Sequence, residues 1–164
     1  MVGDHLIERG LRRAIFLSHP HHPATTDLRS AGCRWALARG GATVPNTWHV
    51  SGDPTDHDRV AAMLAEHAPR VVVCANDRTA ALLIQTLARL GRRVPEDLAV
   101  VGFDDVVYSR LLPVALTTVA QPFAQIAEVA VARLLQRIEQ PAMPATEVLL
   151  AARLVIRDST PEDL

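Results

Sequence analysis

The chain has 164 residues, 49% of them hydrophobic and 21% charged, which suits one ordinary globular domain, or one domain carrying part of a second, with a core that needs no staple. Seventeen basic residues, all arginine, stand against eighteen acidic ones, and a formal charge of -1 supplies no electrostatic footprint for nucleic acid. No apolar run reaches the roughly 20 residues of a membrane span, and the first residues lack the pattern of a cleavable leader, so no membrane is expected and the expected location is the cytoplasm.

In chain order, Arg13-Ala14-Ile15-Phe16-Leu17 is the first strand candidate. A polar, proline-punctuated loop over residues 18–24 leads through Thr25 and Thr26, as caps, into a helix over residues 27–39 that Gly40 and Gly41 end. Residues 47–50 form the next strand, with Trp48 inside it and facing the core. Asp56 caps a helix whose apolar positions Val60, Met63, Leu64 and Ala68 recur at helical spacing. Arg70-Val71-Val72-Val73-Cys74-Ala75 is apolar on both faces, as a central parallel strand covered by helices on both sides must be. Asp77 is placed to cap the next helix, which stops at Gly91, and residues 98–103 make another buried strand. Strands alternating with helices predict an α/β fold of three α/β/α layers around a mainly parallel sheet.

After Leu116 the rhythm changes. Residues 117–119 read as a short strand and residues 123–138 as a helix whose apolar residues, from Phe123 and Ile126 to Leu134, Leu135 and Ile138, cover too wide an arc for one partner. Residues 147–157 read as two short strands or one bent one, and residues 158–164 as a frayed tail.

Ligands of open parallel sheets bind outside the carboxyl ends of the strands, and there the sequence places Asn76-Asp77 and Asp104-Asp105. Two carboxylate-bearing loops on neighbouring strands suit the hydroxyls of a sugar or nucleoside, or a magnesium ion; each aspartate alone is as readily a helix cap. The His19-Pro20-His21-His22-Pro23 segment is rich in imidazole, but two prolines hinder convergence of the rings and no carboxylate or cysteine stands at an evident ligand spacing, so no metal site is expected. Cys33 and Cys74 lie in apolar segments and read as reduced, buried thiols. Serine-elbow, P-loop and dinucleotide-binding patterns are all missing, which leaves hydrolysis and nucleotide chemistry without a starting point and implies neither enzyme nor cofactor.

Five motifs in order, Cys74-Ala75-Asn76-Asp77, Leu90-Gly91-Arg92-Arg93-Val94-Pro95-Glu96-Asp97, Val100-Val101-Gly102-Phe103-Asp104-Asp105, Leu116-Thr117-Thr118-Val119-Ala120-Gln121-Pro122 and Arg153-Leu154-Val155-Ile156-Arg157-Asp158-Ser159-Thr160, resemble the LacI/GalR family of transcription regulators. The resemblance covers nearly the whole chain, starting from His5-Leu6-Ile7-Glu8-Arg9-Gly10, which looks like the helix before the first strand. It implies the second lobe of a periplasmic-binding-protein-like (type I) effector domain over residues 1–117, a crossover strand and helix belonging to the first lobe over residues 118–145, and return strands over residues 146–164. The DNA-binding head and most of the first lobe are expected to lie outside this chain. By motif, the resemblance assigns effector contacts to Arg29, Asn76, Asp104 and Gln121, with Asp77 and Asp105 as further candidates, and it implies a small sugar-like or nucleoside effector and a homodimer. Asp53-Pro54 stands where some sugar-binding members place an aromatic ring. A free-standing solute-binding protein is the alternative, and a doubly wound enzyme using Asp77, Asp104 and a metal is a third reading that lacks a nucleophile or base to pair with them.

Overall fold

A computed structural model describes residues 1–160. Eleven principal elements follow in chain order: α1 (Val2–Glu8), β1 (Ala14–Ser18), α2 (Ala24–Arg39), β2 (His49–Ser51), α3 (His57–His67), β3 (Val71–Cys74), α4 (Asp77–Arg89), β4 (Ala99–Val101), β5 (Thr118–Ala120), α5 (Phe123–Glu139) and β6 (Arg153–Val155). Four strands form a wholly parallel sheet in the order β2-β1-β3-β4, and β5 pairs antiparallel with β6. Parallel bridges from Val101 to Thr117 and from Asp104 to Ala120 continue the pattern toward β5.

The strands are apolar on both faces because each face packs on helices. Ile15, Leu17, Val72, Cys74 and Val100 share one core with Val60 and Met63 of α3 and Leu83, Ile84 and Leu87 of α4. Their neighbours Phe16, Val71, Val73, Ala99 and Val101 share a second core with Leu6 of α1, Cys33 and Leu37 of α2, and Trp48. The two-residue alternation of a strand thus sorts its side chains between two helical layers, giving the expected α/β/α sandwich. Gly3 is where α1 meets α2: a Cβ there would lie 2.6 Å from the Ala36 Cβ and 2.8 Å from the Cys33 carbonyl oxygen. Both cysteines are buried and unpaired, and burial pushes the Cys33 thiol up to about 12 and the Cys74 thiol upward as well.

Several local expectations need correction. The second helix begins at Ala24, earlier than Thr25 and Thr26 suggest, because Pro23 in extended conformation occupies the cap position. Trp48 is core, but it ends a 3₁₀ turn, Asn46–Trp48, rather than sitting in the strand. Asp56 does cap α3, accepting the Arg59 N–H at 3.0 Å. Asn76, not Asp77, caps α4. In the stretch read as return strands only Arg153–Val155 is strand. The tail is not frayed where it is described: Ser159 and Thr160 are fully buried. Ser159 Oγ donates to the Val100 carbonyl at 2.6 Å and accepts the Thr117 N–H at 2.8 Å, stitching the chain end to β4 and β5. Residues 161–164, also read as frayed, lie outside the described residues.

α5 stands apart. None of its residues is buried, and Phe123, Val131, Leu134, Leu135 and Ile138 are all more than half exposed. The broad apolar face read from the sequence is present and turned to solvent. Among the described residues no helix is long and apolar enough to cross a membrane.

Candidate functional site

From β1 the chain crosses to β2 on one side and then to β3 on the other, so the crossovers diverge between β1 and β3 and leave a crevice at their carboxyl ends. The loops opening onto this edge carry His22, Asn76 and Asp104, and the start of α2 brings Arg29 to it. Together they line a cavity of about 520 Å³ that also touches Thr25 and Arg78. That volume lies within the range of pockets for small metabolites, roughly 300 to 1,000 Å³.

Arg29 is held from three directions. Its Nη1 donates to the Ala75 carbonyl at the end of β3 at 2.7 Å, its Cζ lies 3.8 Å from the centre of the Phe103 ring, and its Nη2 is 3.7 Å from Asp104 Oδ1. A guanidinium stacked and anchored in this way loses little freedom when it receives a ligand oxygen. Burial pulls its pKa down and Asp104 opposes that pull. Gln121, where the chain leaves β5, donates from Nε2 to the same Asp104 oxygen at 2.6 Å. The Asp104 backbone sits at φ +115°, with its N–H on the Val119 carbonyl at 2.8 Å, a conformation costly for an L-residue that turns the chain sharply off β4. Asn76 Oδ1 accepts the N–H and the hydroxyl of Thr79 at 2.8 and 2.9 Å. The structure therefore brings all four expected contacts, Arg29, Asn76, Asp104 and Gln121, to one edge of the sheet.

The two additional candidates are placed differently. Asp77 is wholly buried beneath the site, its carboxylate accepting the Thr118 hydroxyl at 2.5 Å and the Val106 N–H at 2.9 Å. Burial raises its pKa, and those two hydrogen bonds draw it back. Gly102 makes room for it, since any Cβ at that position would run into the Asp77 carboxylate. Asp105, at φ +54°, pairs with Arg157 at 2.5 Å. Arg157 also donates to the Leu116 carbonyl at 2.8 Å and to Ser109 Oγ at 3.1 Å. Both aspartates are occupied internally, bracing the loop that presents Asp104. Arg157 and Thr118 lie in motifs quoted above, yet their bracing roles carry no signal in spacing, because their partners are 52 and 41 positions away.

Beside the cleft the histidine loop does something its sequence hides. His22 joins Asp27 of α2 and His49 of β2, with one ligand-type atom from each lying within 4.8 Å of the others. Asp27 stands five residues beyond His22, and His49 arrives because β2 pairs with β1 in the register Phe16 to His49. The missing carboxylate of the sequence reading is thus supplied from the adjoining helix, and a second imidazole from a strand.

The model of the periplasmic binding protein-like domain matches residues 3–160. The chain belongs to that family. It is 32% identical over 163 residues to the ribose operon repressor of Escherichia coli strain K12, covering 97% of this chain and 49% of that repressor. It is 33% identical to the HTH-type transcriptional repressor PurR of Klebsiella pneumoniae (strain ATCC 700721 / MGH 78578), covering 97% of this chain and 48% of that protein. A LacI family transcriptional regulator from Enterococcus faecium, solved with bound ribose, superposes with a TM-score of 0.83 at 26% identity, covering 97% of this chain and 60% of that one. The resemblance read from five motifs is therefore matched by sequence and by fold. The chain spans about half the length of the curated relatives it matches.

Proposed function

We propose that this chain is the effector-sensing part of a LacI/GalR-type transcription regulator, with a small sugar-like or nucleoside ligand held against Arg29, Asn76, Asp104 and Gln121. One observation carries the reading: a stacked, anchored arginine, a carboxylate and the Asn76 amide line the crevice where the strand order reverses, and the Gln121 amide holds that carboxylate from the β5 side. Such a set suits vicinal hydroxyls, since Asp104 accepts from two of them by charge-assisted bonds while Arg29 and the amides donate to ring and hydroxyl oxygens. The ribose-bound E. faecium regulator and the ribose operon repressor favour a pentose or a pentose-bearing molecule.

In this proposal residues 1–117 are one lobe, residues 118–145 reach over to the other, and residues 146–164 return. The exposed apolar face of α5 supports that division, because it is the surface a second lobe or a second chain covers. The protein is a cytoplasmic homodimer without catalytic activity, and a separate amino-terminal domain contacts DNA; the relatives' names as transcriptional repressors support this over a free-standing solute-binding protein. Calorimetry with D-ribose, D-glucose and adenosine tests the ligand class. Measurable heat for at least one of them, abolished by Arg29→Met, supports the proposal; heat for none at millimolar concentration, or heat unchanged by the substitution, contradicts it.

A further inference from the structure

We propose that His22, Asp27 and His49 form a binding site for a divalent transition metal of the zinc type at the rim of the cleft. Three elements converge to build it: the loop after β1, the first turn of α2, and β2. His22 Nδ1 lies 2.8 Å from the His19 carbonyl, which takes its hydrogen and leaves Nε2 facing Asp27 Oδ1 at 2.9 Å. A backbone carbonyl orienting an imidazole in this way is the usual outer shell of a metal-binding histidine. The His22 and His49 rings lie 5.3 Å apart, and His49 is fixed edge-on against Phe16 with ring centres 5.0 Å apart. Ser18 Oγ sits 2.9 Å from His49 Nε2 and 3.2 Å from His22 Nδ1, and its hydroxyl turns away where that His49 nitrogen is the ligand.

Without a metal, the short contact between His22 Nε2 and Asp27 needs a proton between nitrogen and oxygen. Two imidazoles and one carboxylate favour zinc, cobalt or nickel over magnesium or calcium, which seek oxygen-only sets. Three protein ligands leave a fourth position for water or for an oxygen of the molecule in the cleft, whose wall His22 shares. A bound metal clamps the loop of residues 19–23 to the helix that carries Arg29 two positions beyond Asp27. His19 and His21 belong to the same loop but not to the cluster, which separates a built site from casual chelation by an exposed histidine-rich loop.

The test is titration of the untagged chain with Zn²⁺ and Co²⁺ near neutral pH, followed by calorimetry and by the visible d–d bands of bound Co²⁺. The expected result is about one equivalent bound with micromolar affinity, weakened about tenfold or more in His22→Gln, His49→Gln and Asp27→Asn, as loss of a ligand demands. The His19→Ala, His21→Ala double variant binds as the wild type does, and Mg²⁺ gives no heat. Circular dichroism establishes that each variant is folded, and His22→Ala replaces any glutamine variant that is not. Zn²⁺ affinity weaker than millimolar, or binding that survives His22→Gln and His49→Gln and disappears with His19 and His21, overturns the proposal.

Discussion

At the scale of single residues, the aspartates divide by what they touch. Asp104 holds its carboxylate at the cleft with Arg29 and Gln121, whereas Asp77 has no exposed surface and satisfies two donors below it. Asp104→Asn is expected to leave folding nearly unchanged and to weaken ligand binding by about 1.5 to 3 kcal/mol, the worth of a hydrogen bond to a charged group. Asp77→Ala is expected to cost about 3 kcal/mol of stability, because the Thr118 hydroxyl and the Val106 N–H lose their acceptor in the interior. Urea unfolding of both variants checks the contrast, and a stability loss in Asp104→Asn equal to that in Asp77→Ala contradicts it. The division was only partly legible in the sequence. Asn76-Asp77 and Asp104-Asp105 were visibly at strand ends, but which member faces the cleft depends on Gly102 admitting the Asp77 carboxylate and on two consecutive positive φ values at Asp104 and Asp105. Neither is written in residue type.

His5 supplies a pH dependence at the same scale. It is 3% exposed, its Nε2 lies 2.9 Å from Thr160 Oγ1, and its pKa is lowered mainly by burial and further by Arg9, with Glu8 opposing. A histidine whose folded pKa is depressed binds fewer protons folded than unfolded, so its contribution to stability is full above the unfolded value of 6.5 and is lost as pH falls through the depressed folded value. His49 acts in the same direction and His22 in the opposite one. Wild-type stability is therefore expected to drop on acidification below the ordinary histidine range, with a shallower drop in His5→Gln. Denaturation midpoints across that range provide the check; parallel profiles would remove His5 from the account.

At the scale of elements, periodicity revealed what self-contained packing dictates. Residues 71–74, buried on both faces, and α4, with Ala80, Leu83, Ile84 and Leu87 on one side, declared themselves because each hydrophobic position has a partner within the sheet and its helices. Ser159 and Thr160 read as tail because small hydroxyl residues carry no hydrophobic signal, whereas their burial rests on hydrogen bonds to Val100, Thr117 and His5. α5 is the converse case. Its apolar arc is plain, but among the described residues none buries it, and leaving five or six such side chains in water costs on the order of 5 to 10 kcal/mol against burying them. Two chains pairing through α5 would bury that face. Sedimentation is expected to give a species larger than one chain at micromolar concentration, reduced to a monomer in the Ile126→Glu, Leu134→Glu double variant. A monomeric wild type would rule out pairing through this helix.

For the whole molecule, the balance of charge and the geometry of the site set the expectations. With a formal charge of -1, the 164-residue chain is expected to give no sequence-selective shift of duplex DNA at physiological salt. The proposed division into lobes places only one wall of the cleft within residues 1–117, and one wall cannot enclose and desolvate a sugar, so affinity is expected to be weak, in the millimolar range. The proposed ligand position is nonetheless local, where β1 and β3 diverge. An NMR titration of isotope-labelled chain with D-ribose tests it most directly, by mapping which amide and side-chain signals move. The account predicts saturable shifts concentrated at Arg29, Asn76, Asp104 and Gln121 and absent in Asp104→Asn. Saturable shifts confined to another part of the molecule, or unchanged by Asp104→Asn, would contradict it.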